Sequence, residues 1–544
     1  MVDGERGARV AGPQAVSDSA RLEELGYRQE LRRVLNLFEN FGIAFCYISP
    51  VVGIYSLFVL GLGAGGPRYL WLMPIVVGGQ LLVALTFAEL GSTFPLAGAL
   101  FQWAKNLVGE AYGWFVGWAY GWALVITIAA VDTGVVFYAV TLSNKYLNTH
   151  LDPINANTIL FFTLGMLALQ TLFNVIGVQR AAFIVKIGVI SEIVATIGIA
   201  VMLAIAGFHH GLGYLFTTQN VEHPAGNPFG VNFGGHWLLG AALIAVLAHV
   251  YIFYGFESAG DVAEEVVEAS RQVPKAMVTS LLVGGLTSFI LVAGLILAIP
   301  GGHAAFVKAG SPAGGIPFIL SANVNVGWIQ DIILAFVVFA FFSCGTAIQA
   351  AAARLIYSYS RDGALPGSRT LRKVSANFRT PIAALLVAAV IPALFSLLVH
   401  FTPTHPIHIG FITYPANINA LFILVSFGVS GIYLSFMMVV FAVLRARAKG
   451  WRSSGFSLGR WALPVYLGAA LYGTLMFINI VLPTGVDSPR GALFNYDWMT
   501  LVVLVGIMIL GAIYFAIARP DRRIAARTME DLPTERGPLE MEGA

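Results

Sequence analysis

Two stretches decide how this chain folds. They are Phe45-Cys46-Tyr47-Ile48-Ser49-Pro50-Val51-Val52-Gly53-Ile54 and Tyr251-Ile252-Phe253-Tyr254-Gly255-Phe256-Glu257-Ser258-Ala259-Gly260. Each sits inside an apolar run long enough to cross a bilayer as a helix. Each also carries helix breakers in its middle. Pro50 has no backbone donor and Gly53 loosens the turn beyond it. The second stretch has two glycines and a carboxylate. Interrupted apolar helices in corresponding places of two halves point to a transporter binding site. Unwinding at mid-membrane frees amides at the start of one half-helix, which attract a carboxylate. It frees carbonyls at the end of another, which attract an ammonium group or a cation. A site offering both suits a zwitterion. The plain alternative is a proline kink and a glycine packing notch.

The rest of the chain fits this frame. Of 544 residues, 58% are hydrophobic and 11% charged, where soluble domains carry about 25% charged residues. That excludes a string of soluble domains, and disorder, which needs the opposite balance. The net charge of +3 leaves no broad basic surface for nucleic acid. Cys46 and Cys344 lie in apolar runs and read as buried thiols. Nothing near the start has the form of a removable signal peptide. The segment from Leu22 to Leu37 spaces its apolar residues for a short surface helix or a solvated tail.

Apolar runs of about 20 residues or more recur, at 36–62, 70–91, 111–143, 157–176, 181–207, 236–259, 276–300, 328–358, 381–400, 411–444, 461–483 and 497–518. In lipid these must be helices, because an open chain has no other way to satisfy its backbone. The fold class is therefore an all-α membrane protein of about twelve spans. The breaks fall in the first and sixth spans, which suits two five-span repeats of opposite orientation (36–207 and 236–444). Two further helices (461–518) and two tails (1–35 and 519–544) complete the chain. Among 31 lysines and arginines, only Arg68, Lys145, Lys308 and Arg490 fall in connections opposite the termini, with Lys186 and Arg354 inside spans. The positive-inside rule then places both tails in the cytoplasm, with the protein in the cytoplasmic membrane.

Four motifs, in order, resemble a known family. They are Ser49-Pro50-Val51-Val52-Gly53, then Ala88-Glu89-Leu90-Gly91-Ser92-Thr93-Phe94-Pro95-Leu96-Ala97-Gly98, then Gly255-Phe256-Glu257-Ser258 followed by Ala263-Glu264-Glu265, Arg271 and Pro274, and last Arg361-Asp362-Gly363-Ala364-Leu365-Pro366. The chain is similar to the amino acid/choline transporter branch of the amino acid–polyamine–organocation superfamily, from about Leu25 to the twelfth span. The resemblance implies a five-plus-five inverted repeat, alternating access, and substrate contacts in spans 1, 3, 6, 8 and 10.

Individual residues follow. The amides around Val51, Val52 and Gly53, with Ser49, are expected to take a substrate carboxylate. Carbonyls near Phe253, Tyr254 and Gly255 are expected to face the amine, with Asp132 of span 3 as a further partner; a helix-locking hydrogen bond is the alternative for Asp132. Tyr254 and Phe256 flank the break, and Glu257 can steady its freed amides. Glu192 lies ~16 Å deep at 1.5 Å per residue, near the centre of a ~30 Å core, where an ionisable group is a functional candidate. It falls where, by the resemblance, proton-linked and uncoupled relatives carry a lysine. The coupling ion is thus a proton on Glu192, or a cation such as sodium held with Ser343 and Thr346 of span 8. Arg361 and Asp362 are expected to pair in an inner gate; a plain helix terminus capped by Gly363 is the alternative. Lys186 is expected to snorkel to the interface.

Other features lead nowhere. Gly61-Leu62-Gly63-Ala64-Gly65-Gly66 follows a membrane helix rather than a strand, so it is no dinucleotide site. His400, His405 and His408 lack acidic or cysteine partners, so no metal site is expected. No cofactor, nucleotide loop or catalytic pair is expected, and the chain does not read as an enzyme. It reads as a permease for an amino acid or γ-amino acid, with proton coupling. An organic cation or polyamine carrier is the alternative. A transporter-like nutrient sensor is less favoured, because the tails are short.

Overall fold

The computed structural model describes residues 18–312, 314–324, 326–400, 405, 407–409, 412–414, 420–482 and 498–530. Ten of the described helices are long and apolar enough to cross a membrane, and the shorter apolar helices Trp237–Ile252 and Ile382–Leu397 accompany them. In chain order the spans are 1 (Leu37–Ile48 and Pro50–Gly65), 2 (Leu72–Thr93), 3 (Glu110–Gly134, continued by Val136–Leu147) and 4 (Ala156–Val175). Span 5 runs Val178–Ile193, Val194–Gly198 and Ile199–Ala206, and span 6 runs Trp237–Ala241, Ala242–Ile252 and Ser258–Asp261. Then come 7 (Ala269–Leu297), 8 (Gly327–Arg361), 9 (Ile382–His400), 10 (Ala420–Ala448), 11 (Ala462–Val481) and 12 (Met499–Ala518). This is the expected all-α membrane architecture. Its buried face is apolar and so are many outward side chains, such as Ile205, Leu239, Leu471 and Ile517, as a chain solvated by lipid requires.

The two broken helices stand side by side at the centre. The second half of span 1 packs along span 6, and the first half packs on span 7. Span 3 packs on spans 8 and 10, and span 2 on span 7. Span 11 lies against spans 10 and 2, with span 12 outside spans 3 and 10.

Three segments differ from the sequence expectation. Span 10 begins at Ala420 rather than 411; Ile407–Ile409 and Ile412–Tyr414 instead pair as a short antiparallel hairpin, Ile407 opposite Tyr414. The β-branched isoleucines and threonine favour a strand. The N-terminal segment is neither a surface helix nor a solvated tail. It forms one short helix (Asp18–Glu24), then runs along the face at which span 1 begins, with Leu22, Leu31 and Leu35 buried. Leu35 bridges Val266 in parallel, and Asp18 accepts the Ala269 amide at 2.6 Å, supplying a partner to the start of span 7. Between spans 2 and 3 the chain dips inward as a helix, Ala99–Val108, whose Ala99–Ala104 half is buried. The short helix Pro520–Glu530 returns to this face and packs against span 3.

Candidate functional site

In span 1 the break is a single residue wide. Ser49 has φ of 39° and ψ of 85°, a left-handed conformation that ends one half-helix and starts the next. Its amide donates to the Phe45 carbonyl, closing the first half. Pro50 then occupies the first position of the second half, where a missing donor costs nothing. The amides that follow are not free. Val51 N donates to Glu192 Oε2 at 3.0 Å, Val52 N to Ser49 Oγ at 3.2 Å, and Gly53 N to the Ser49 carbonyl at 3.0 Å. Ser49 Oγ donates to the other oxygen of Glu192 in a short contact. The amides expected to await a substrate carboxylate are thus held by the protein's own groups. The reason is physical: an unpaired buried amide costs about 1–3 kcal/mol, and a helix N-terminus attracts the nearest carboxylate. Glu192 is completely buried, and directly after it span 5 widens into a π-turn (Val194–Gly198). Such turns recur at functional sites. Thr196 Oγ1 donates to the Glu192 carbonyl at 2.7 Å across it.

In span 6 the helix stops at Ile252 and resumes at Ser258. Gly255 bridges the gap with φ of +110°, where the ring of Tyr47 would stand 2.8 Å from an added Cβ. Its amide donates to Glu257 Oε2 at 2.8 Å, and its carbonyl accepts from Ser258. Glu257 thus accepts an amide freed by the break. Among the described residues no backbone amide reaches the carbonyls of Val250, Tyr251 or Ile252. The open acceptors lie a few residues before the expected Phe253–Gly255.

Between the breaks lies a narrow cavity lined by Tyr47, Ile48, Val52, Gly53, Thr127, Val131, Tyr251, Tyr254, Cys344 and Ile348. No charged side chain lines it. The hydroxyls of Tyr47 and Tyr251 are buried without partners. Gly53 lets the spans approach: an added Cβ would lie 2.4 Å from Ile252 Cγ1. Of the expected contacts, Tyr254, Val52 and Gly53 line this space. Phe256 faces away, onto Phe87 and Phe436 with ring centroids 6.1 and 5.7 Å apart, and Phe253 is wholly buried off the lining. Asp132 also turns away. Val131 lines the cavity, and the next residue along the helix points elsewhere, so Asp132 Oδ1 accepts from Gln170 Nε2 of span 4 at 2.6 Å. Ser343 and Thr346 donate to the Ala340 and Phe342 carbonyls of their own helix.

Three buried ion pairs cluster on the face along which the N-terminal segment runs. Arg361 and Asp362 do not pair with each other. Arg361 makes two bonds to Glu264, 2.8 and 3.0 Å, and Asp362 binds Lys105 of the inward-dipping helix at 2.5 Å. Arg354 binds Glu265 at 3.0 Å. Adjacent positions near a helix end point about 100° apart, so they reach different neighbours. Tyr27 of the N-terminal segment sits among them. Its hydroxyl bonds Asp362 at 2.9 Å and touches Lys105, and the Arg361 guanidinium lies 4.1 Å above its ring. Burial, then the Asp362 carboxylate, push the Tyr27 phenol up to about 12. Burial opposes the charge on Lys105, but Asp362 and Tyr27 outweigh it and its pKa is raised. Lys186 does not simply snorkel; it pairs with Glu39 at 2.7 Å.

Two broken helices thus flank an uncharged cavity, with a cluster of buried ion pairs to one side. Residues 35–510 match the family model for amino acid permeases. This chain belongs to the amino acid permease family. The permease is 26% identical over 522 residues to the amino-acid permease BAT1 homolog of Oryza sativa subsp. japonica, covering 92% of this chain and 94% of that protein. It is 24% identical over 516 residues to the GABA-specific permease of Saccharomyces cerevisiae, covering 93% and 85%. It is 24% identical over 530 residues to a putative polyamine transporter of Candida albicans, covering 94% and 89%. The permease is a multi-pass membrane transporter.

Sequence reasoning missed Tyr27 and Lys105, and it quoted Glu264 and Glu265 without a role. The last two stood inside a recognised motif, and charge at the exit of a membrane helix was the available signal. Nothing in the local sequence marked Tyr27. Glu89, in the motif after span 2, bonds Tyr466 and the Leu458 amide, tying that loop to span 11.

Proposed function

We propose that the permease carries an amino acid or γ-amino acid across the cytoplasmic membrane by alternating access, driven by protons. One observation supports this most: the facing breaks present free carbonyls at Val250–Ile252 on one side and a carboxylate-binding helix start on the other. The cavity has no charged side chain, so a zwitterion would be neutralised by helix ends alone.

Glu192 supplies the coupling in this reading. As a carboxylate it occupies the place a substrate carboxylate would take at Val51 and Ser49. A proton on Glu192 weakens its claim on that helix start. The substrate carboxylate then restores the favoured negative charge, so proton and substrate bind together. A sodium ion could replace the proton by bridging Glu192 with the remaining lone pairs of Ser343 and Thr346. Both tails lie in the cytoplasm, and the mouth pairs of Arg361 and Asp362, with Tyr27, Lys105 and Glu264, act as the inner gate. The repeats 36–207 and 236–444 rock against each other as it opens.

The test is a thermal-stability screen of the purified protein against amino acids, γ-amino acids, amines and choline-like cations. A ligand at 100 times its Kd adds about 2.7 kcal/mol. Stabilisation by zwitterions but not by their decarboxylated amines supports the proposal. Stabilisation by cations alone sinks it in favour of an organic cation or polyamine carrier. Uptake into proteoliposomes under a pH gradient or a sodium gradient then separates the two ions.

A further inference from the structure

Beyond the break, Glu257 and Asp261 lie one turn apart and both are completely buried. Both reach one phenol from span 3. Tyr120 Oη lies 2.7 Å from Asp261 Oδ2 and 3.3 Å from Glu257 Oε1. A phenol has a single hydrogen to donate. It satisfies one carboxylate. The second carboxyl can rest on the phenol oxygen only by bringing a hydrogen of its own.

Among the described residues, no cation is bonded to either carboxyl. Tyr47 from span 1 and Tyr254 from the break are phenols. Lys105 of the inward-dipping helix is bonded to Asp362, and Arg354 and Arg361 of span 8 to Glu265 and Glu264. Span 7 meets this turn with Met277, while its Arg271 and Lys275 are exposed. Asp261 Oδ1 and Tyr47 Oη are buried without partners. Two carboxyls sharing such a site cannot both ionise.

We propose that Glu257, Tyr120 and Asp261 form a proton relay that holds one proton on its two carboxyls and passes it from the helix break toward the inner mouth. The transfer is balanced. The Glu257 Oε1–H bond breaks as the proton joins the Tyr120 oxygen, while the Tyr120 O–H bond breaks and its proton joins Asp261 Oδ2. Glu257 becomes the carboxylate, held by the Gly255 amide, and Asp261 becomes the acid. The phenol is unchanged, and the trio keeps one negative charge throughout. The Asp261 end of the trio lies beside the inward-dipping helix, where the Asp261 carbonyl accepts the Gly98 amide at 3.3 Å.

The held proton stands by itself; its part in transport rests on the proton-driven reading above. Infrared difference spectroscopy of the purified full chain across neutral pH tests the first claim. A protonated-carboxyl C=O band is expected that E257Q and D261N each remove and Y120F shifts. The same band in all four proteins overturns the proposal. Proteoliposomes with labelled γ-aminobutyrate test the second. Y120F is expected to lose accumulation driven by a pH gradient while keeping counterflow, which needs no net proton movement. Accumulation that survives in a folded Y120F protein overturns the relay. If the wild-type protein moves no γ-aminobutyrate in either assay, the assays are repeated with the zwitterion that the stability screen selects; a screen that selects none fails the substrate reading, and the infrared result alone then decides the shared proton.

Discussion

Glu192 of span 5 accepts the Val51 amide of span 1 at 3.0 Å, so an internal carboxylate occupies the start of the second half-helix. Removing that charge frees the helix start. Glu192→Gln is expected to abolish the pH dependence of uptake while counterflow persists, measured in proteoliposomes. Glu192→Ala leaves the Val51 amide unpaired and should lower stability by about 1–3 kcal/mol, read as a fall in melting temperature.

Gly53→Val is expected to destroy transport. Its Cβ would stand 2.4 Å from Ile252 Cγ1, in the seam between the broken spans. Overpacking of this kind costs about 1–3 kcal/mol. Uptake and melting temperature should fall together; a fully active variant would show that the seam is wider than described.

The mouth has an alkaline signature. Tyr27 ionises near its ordinary value of 10.0 when unfolded but at about 12 in place. The folded state then holds the extra proton, and stability is lost as pH rises from about 10 to 12. Lys105, also raised, adds loss in the same direction. Tyr27→Phe should flatten this alkaline decline in melting temperature and speed exposure of a cysteine reporter below the gate.

Glu264→Gln would strand the buried Arg361 guanidinium. Breaking one side of a buried pair costs about 3–5 kcal/mol, so the variant should melt well below the wild type. The double change Glu264→Gln with Arg361→Met should recover part of that loss, which a double-mutant cycle measures.

Asp132→Asn is expected to leave the substrate KM unchanged. The side chain bonds Gln170 rather than the cavity, so only a modest fall in stability should follow. A large rise in KM would return Asp132 to the substrate site.

Much of this was legible in the chain itself. Helices in lipid are forced by local composition, because twenty apolar residues must satisfy their own backbone. The breaks at Ser49-Pro50 and Gly255 were legible for the same reason, since proline and glycine act within one turn. The short hairpin before span 10 was not, because apolar β-branched residues read alike in a strand and in a membrane helix.

What the sequence by itself determined is the all-α membrane class, the run of apolar helices and the place of both breaks, all set by interactions within a few residues. Only the tertiary structure decided which group meets which. Ser49 and Glu192 are 143 residues apart, Tyr120 and Asp261 141, and Lys105 and Asp362 257. Buried polar groups must find partners wherever the packing brings them. Those partners gave the Val51 amide an internal acceptor, separated Arg361 from Asp362, and placed Tyr27 among the ion pairs.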